Sequence, residues 1–183
     1  MESLEIIKEL NMEYKELVKY LLLKYGPSEY DYFCNESCKS KNPKVTRTKE
    51  GLYCHHIDED KAIMLSNDKF AKLNPWEFQK AERLVYCNIL EHLILHIKIV
   101  EEPKNENANE EEIQGLGGVL NLCPEINDFY NGYQFQKQYL IDTFNVVENN
   151  FEDYILILKY FFNIIDKNPI YRKGAAPSSP RQT

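Results

Sequence analysis

Two stretches decide how this chain is read: GLYCHHIDED, residues 51–60, and RLVYCNILEHLILHIKIVEE, residues 83–102. In the first, Gly51-Leu52-Tyr53-Cys54-His55-His56-Ile57 has the apolar and aromatic content of a short strand closed by acids. In the second, Arg83-Leu84-Val85-Tyr86-Cys87 reads as another short strand. Asn88 is a natural helix N-cap, and Ile89 onward reads as a helix to about Glu101. The alternative is one helix from Pro75 to Glu101, with proline at the first position, where its missing N–H costs nothing.

These stretches hold all four histidines of the chain: His55, His56, His92 and His96. His92 and His96 stand at i and i+4 and so share a helix face. His55 and His56 are adjacent on a strand and so point to opposite sides of it. Either pair alone is an ordinary feature of a core or a strand end. Both pairs together, with no other histidine in the chain, are not ordinary. Two imidazoles one helical turn apart supply two neighbouring metal ligands. A third from a nearby strand completes a three-ligand site with positions left open for water or substrate. The fourth, near neutral pKa as a residue type, suits a general base.

Outward from this centre, residues 2–24 carry Leu4, Ile7, Leu10, Tyr14, Leu17, Val18 and Leu21 at helical spacing, and Gly26-Pro27 ends the run. Residues 39–49 (KSKNPKVTRTK) hold Lys39, Lys41, Lys44, Arg47 and Lys49 with no acid, a strip suited to phosphates. Residues 58–81 lack a clear period and read as a long loop with a helical turn from Trp76. Asp58, Glu59 and Asp60 read as loop acids, with a carboxylate beside a metal as the alternative. Residues 113–166 read as mostly helical, punctuated by Gly117-Gly118 and Cys123-Pro124. Their aromatics fall at helical spacing, which favours core over base stacking.

Net charge is −7, so nothing advertises nucleic-acid binding by the chain as a whole; only the local strip does. The N-terminus MESLEIIKEL lacks the basic start of a secretion signal, and no apolar run is long enough to span a membrane. Five cysteines, an odd count, then read as reduced thiols in a cytoplasmic protein. No phosphate-binding loop, dinucleotide-binding glycine pattern or serine-hydrolase elbow is present.

The histidine pattern resembles that of the HNH (His-Me finger, ββα-metal) endonucleases, closest to colicin-type DNases. Those run His-His, a loop, Asn, eight residues, His, three residues, His. Here the run is His55-His56, 26 residues, Arg83, eight residues, His92, three residues, His96. The resemblance covers roughly residues 47–100 and implies an α+β fold, mostly helical, around a central ββα-metal motif. It implies His56 as general base and His55, His92 and His96 as ligands of one divalent metal, with Mg, Mn, Ni and Zn all fitting. Arg83 stands where the family has an Asn that braces the base, and is expected to take a catalytic role there, for instance on a phosphate. Asn74 or Asn88 is expected to brace the site from behind or to replace a ligand. Lys44, Arg47 and Lys49 are expected to contact DNA. Many relatives also hold a structural zinc on four cysteines. Cys34, Cys38, Cys54 and Cys87 are the set this sequence offers, with core packing as the competing reading.

The expected organisation is an N-terminal helix over 1–27, the motif with its basic lead-in over 28–101, an acidic linker over 102–112, a helical lobe over 113–171 and a disordered tail over 172–183. The expected function is metal-dependent hydrolysis of phosphodiester bonds in double-stranded DNA by an HNH endonuclease, with a homodimer as the candidate assembly, in a restriction, phage or mobile-element setting. Two other classes stay open. One is a non-catalytic HNH-scaffold protein that binds nucleic acid or inhibits a nucleic-acid enzyme. The other is a helical interaction protein whose histidines hold a structural metal.

Overall fold

A computed structural model describes residues 4–102 and 114–167. In chain order the elements are α1 (Leu4–Leu10), α2 (Tyr14–Tyr25), β1 (Tyr53–His56), α3 (Asp68–Ala71), β2 (Leu84–Cys87), α4 (Ile89–Glu101), α5 (Leu116–Tyr130), α6 (Gln138–Asn145) and α7 (Phe151–Lys167), with short 3-10 turns between them. The class is α+β and mostly helical, as expected. The linker and tail assignments fall largely on residues 103–113 and 168–183, outside the described residues.

β1 and β2 pair antiparallel, with Tyr53 opposite Cys87, His55 opposite Val85 and His56 opposite Leu84. Alternation along the strands sorts their side chains. Val85 and Cys87 join the main core, whereas Leu84 joins a smaller cluster with Tyr32, Phe33, Cys38, Val45 and Ala71, against which Cys54 packs. β2 leads straight into α4. Asn88 caps that helix: its Oδ1 accepts from the Leu90 and Glu91 N–H groups at 2.9 and 3.0 Å, and Glu91 Oε2 accepts from the Asn88 N–H at 2.7 Å. Such a reciprocal cap contributes about 1 kcal/mol and sets where the helix begins. The continuous helix from Pro75 does not form. Trp76–Gln79 and Ala81–Arg83 are separate 3-10 turns, and β2 needs extended backbone.

α4 is apolar almost all round, and 11 of its 13 residues are buried. A helix of this kind needs cover on every side. α1, α2, α5, α7 and both strands pack against it. The single N-terminal helix expected over residues 2–24 is in fact two. Glu13 takes an extended conformation and starts α2 with its own capping box to Glu16. The break lets α1 pack on α4 and α7 while α2 packs on α4 and β2. Ile6 and Leu10 from one segment and Leu17 and Leu21 from the other still enter one core.

The C-terminal helices enter that same core through Val119, Leu122, Ile126, Phe144, Tyr154, Ile157 and Phe161. Gly117-Gly118 and Cys123-Pro124 do not interrupt α5, which runs through both. Pro124 and Leu120, whose carbonyl Pro124 leaves without a helical donor, both lie on the exposed side of the helix. Phe129 and Phe135, both partly buried, stack on the buried Phe144 with ring centres 4.6 and 4.9 Å apart, as their spacing suggested, whereas Tyr133, Tyr139 and Phe151 of the same run are exposed. No helix among the described residues is long and apolar enough to cross a membrane.

One buried charge stands out. Glu9 is fully buried with both carboxylate oxygens lacking a hydrogen bond, 3.8 Å from Lys24 and close to Glu91. Burial, and then the charge of Glu91, push its pKa up to about 8. The folded state therefore holds this proton more tightly than the unfolded chain does. Its stabilising effect is complete below the ordinary carboxylate pKa and is lost as pH rises through about 8. Urea unfolding at pH 5 and pH 9 should show Glu9→Gln gaining stability over the wild type at pH 9 and not at pH 5.

Candidate metal centre

His55 lies on the face of β1 turned toward α4, and His92 and His96 lie one turn apart on α4. The three offer nitrogens that all fall within 4.8 Å of one another. The ring centres are 4.9–5.2 Å apart. His92 Nε2 and His96 Nε2 stand 3.2 Å apart. Two imidazole nitrogens bound to one ion at about 2.1 Å, with an angle near 90–110°, would stand roughly 3.0–3.4 Å apart. The spacing of this helix pair therefore fits a shared first-row ion, with the His55 nitrogen within 4.8 Å of both.

The orientation of His55 comes from Tyr14 of α2. The Tyr14 hydroxyl donates to the Ile57 carbonyl at 2.8 Å, so its oxygen accepts from His55 Nε2–H at 3.1 Å. That leaves the lone pair on His55 Nδ1, a buried atom with no hydrogen-bond partner. Glu59 Oε2 lies 3.7 Å from this Nδ1 and 3.5 Å from His96 Nε2. Burial pulls all three histidines down, His96 to about 4, and in His55 and His92 the neighbouring imidazoles add to it. All three are thus neutral at pH 7, the form that binds metals. Burial pushes Glu59 up, to about 7.

His56 faces the other side of β1, with its ring centre 4.3 Å from that of Tyr32. Its Nε2 bonds to Gln79 Oε1 at 2.9 Å, and the Gln79 amide N–H donates to the Leu65 carbonyl at 3.2 Å. Gln79, fully buried, is thereby fixed with its oxygen toward His56. His56 donates from Nε2 and keeps its lone pair on Nδ1. Burial draws its pKa down to about 4 against the Gln79 bond, so it is neutral at pH 7. All four histidines and Glu59 line one cleft of about 360 Å³, closed on its far side by α5 through Gly118 and Asn121.

The other expected site residues meet different fates. Arg83 forms a two-pronged pair with Asp58, through Nε at 2.6 Å and through Nη2. Burial alone would raise the Asp58 carboxyl, but Arg83 and Lys61 hold it below the usual range. Arg83 thus ties the turn after β1 to the start of β2 by an ion pair. Lys44 and Lys49 are exposed. Arg47 is turned inward: it donates to the Tyr25 carbonyl at 2.7 Å, pairs with Glu50 and lies over the Tyr86 ring. Neither asparagine reaches the cleft. Asn74 donates to the Phe70 carbonyl, and the Asn88 side chain is used up capping α4. The four-cysteine zinc site does not form. Cys34 is exposed, Cys38 and Cys54 belong to the small cluster and Cys87 to the main core. Alternation along paired strands turns Cys54 and Cys87 to opposite faces, and no group of metal-binding side chains among the described residues includes a cysteine.

The sequence left three contributors unassigned. Tyr14 was visible only as part of an apolar helix face, and Gln79 only as a loop residue. Gly118 looked like punctuation, whereas a Cβ there would sit 2.2–2.4 Å from the His96 ring. Glu59 had been grouped with its acidic neighbours. No protein-family model matches the chain, and neither curated proteins nor solved structures gave a match.

Gly118→Ala should displace the His96 imidazole and weaken binding of Ni or Zn by at least about tenfold in calorimetric titration. Gly117→Ala, where an added methyl meets open space, should leave it unchanged. Arg83→Ala leaves the buried Asp58 with Lys61 alone and should cost about 2 kcal/mol in urea unfolding.

Proposed function

We propose that this protein is a metal-dependent HNH-type endonuclease that hydrolyses phosphodiester bonds of double-stranded DNA. The observation that carries this reading is the placement of His55, His92 and His96 around one point, with His56 held as a single tautomer at the edge of the same cleft. The strand–strand–helix order of β1, β2 and α4 supports it, because the HNH family uses that order to bring a strand histidine to a helix pair.

A divalent ion on His55, His92 and His96 would stabilise negative charge on the phosphate and the leaving oxygen. In the proposed reaction, His56 Nδ1 takes a proton from a water in the cleft as the water oxygen attacks phosphorus. One ester P–O bond breaks, and the departing oxygen acquires a proton from solvent. Gln79 holds the proton on Nε2, so that the lone pair stays on Nδ1, and it stabilises the imidazolium that forms. Tyr14 does the equivalent for His55. Lys44 and Lys49 are the exposed cations for the DNA backbone.

A second reading, a non-catalytic protein on the same scaffold, draws on one specific observation: His56 is only 1% exposed. Plasmid cleavage separates the two. With Mg, Mn, Ni or Zn the wild type should nick DNA, EDTA should abolish nicking, and His56→Ala should lower it by about 100-fold or more. Full activity in His56→Ala would overturn the assigned base. DNA retention without cleavage in all four metals would establish the binding protein instead.

A further inference from the structure

We infer that Glu59 is a fourth, anionic ligand in this centre, making it a three-histidine, one-carboxylate site that selects a first-row transition ion over Mg or Ca. The inference rests on the metal-binding half of the proposed function and not on DNA cleavage. Three observations carry it. Glu59 Oε2 stands 3.7 Å from His55 Nδ1 and 3.5 Å from His96 Nε2, within a short adjustment of the strand histidine and of one helix histidine. The side chain is only 14% exposed, yet among the described residues no lysine, arginine or backbone N–H donates to it. The neighbouring acid cannot substitute, because Asp58 is held by Arg83 and Lys61.

The physical need is charge. A divalent ion surrounded by three neutral imidazoles in a buried cleft would bring two uncompensated charges out of water. A carboxylate already inside the cleft halves that charge. Mg and Ca favour all-oxygen surroundings and Mg keeps several waters, whereas imidazole nitrogens suit Mn through Zn. A mixed set of three nitrogens and one carboxylate oxygen fits the second group. The turn that carries Glu59 begins at Ile57, whose carbonyl accepts from the Tyr14 hydroxyl that fixes the tautomer of His55.

The test uses the full chain and Co(II) as probe. Titration followed by visible absorption and calorimetry compares the wild type, Glu59→Gln and, as a ligand-loss control, His92→Ala, with thermal unfolding of each metal-free protein. The wild type should bind one Co(II). Glu59→Gln should bind it at least tenfold more weakly, with altered visible bands and unchanged metal-free unfolding, and excess Mg should not displace Co(II). A Glu59→Gln spectrum identical to that of the wild type would place Glu59 outside the coordination sphere and overturn the inference, as would wild type that binds no Co(II). Loss of DNA cleavage plays no part in this test. A four-ligand spectrum in a protein that never cuts DNA upholds the ligand assignment while removing the nuclease reading.

Discussion

A helix that is apolar around its whole circumference has to be covered around its whole circumference, and α4 is such a helix. Two N-terminal helices, two C-terminal helices and the strand pair close over it. The break at Glu13 and the continuous run of α5 both follow from that demand, because each lets a flanking segment reach a different side of α4. The only interruptions in its apolar surface are His92 and His96 on the side facing β1 and α5, with Glu91, Lys98 and Glu101 near the ends. Covering the helix is therefore the same act as burying the histidines.

Burial makes those imidazoles useful. Desolvation keeps His55, His92 and His96 neutral, and for His55 and His92 the neighbouring imidazoles reinforce this. Three neutral lone-pair donors in one buried cleft form a poor place for a proton and a good place for a metal ion. Close packing sharpens the arrangement further. Gly118 admits the His96 ring only because it has no side chain, and Tyr14 and Gln79 each settle one tautomer by hydrogen bonds to backbone carbonyls.

The connection between the strands supplies the rest. It folds back as a series of 3-10 turns and one short helix, and places Asp58, Glu59 and Gln79 within reach of β1 and α4. Asp58 is spent on Arg83, which fastens the beginning of the connection to its end. Glu59 is left within 3.7 Å of His55 and 3.5 Å of His96. This division of labour between adjacent acids depends on which way each turn points its side chain.

Residues 51–57 announced their strand and residues 89–101 their helix, because period and composition are local properties, whereas the choice between a strand capped off at Asn88 and one helix from Pro75 was settled by the pairing of β2 with β1. The i, i+4 spacing alone put His92 and His96 on one face, and the helical character of the C-terminal half was legible in the same way. Local pattern could not say that His55 rather than His56 faces α4, since alternation only separates the two and pairing with Val85 decides the side. It could not detect Tyr14, Gln79 or Gly118, whose roles arise from contacts 23 to 41 residues apart for the first two and from helix packing for the third. Nor could it rule out the four-cysteine site, which fails because Cys34 is exposed and paired strands send Cys54 and Cys87 to opposite faces. Sequence by itself determined which side chains with metal-binding chemistry exist and which share an element. The tertiary structure decided which of them meet, because convergence depends on strand register, helix packing and the path of a long connection, and none of these is encoded within a few residues.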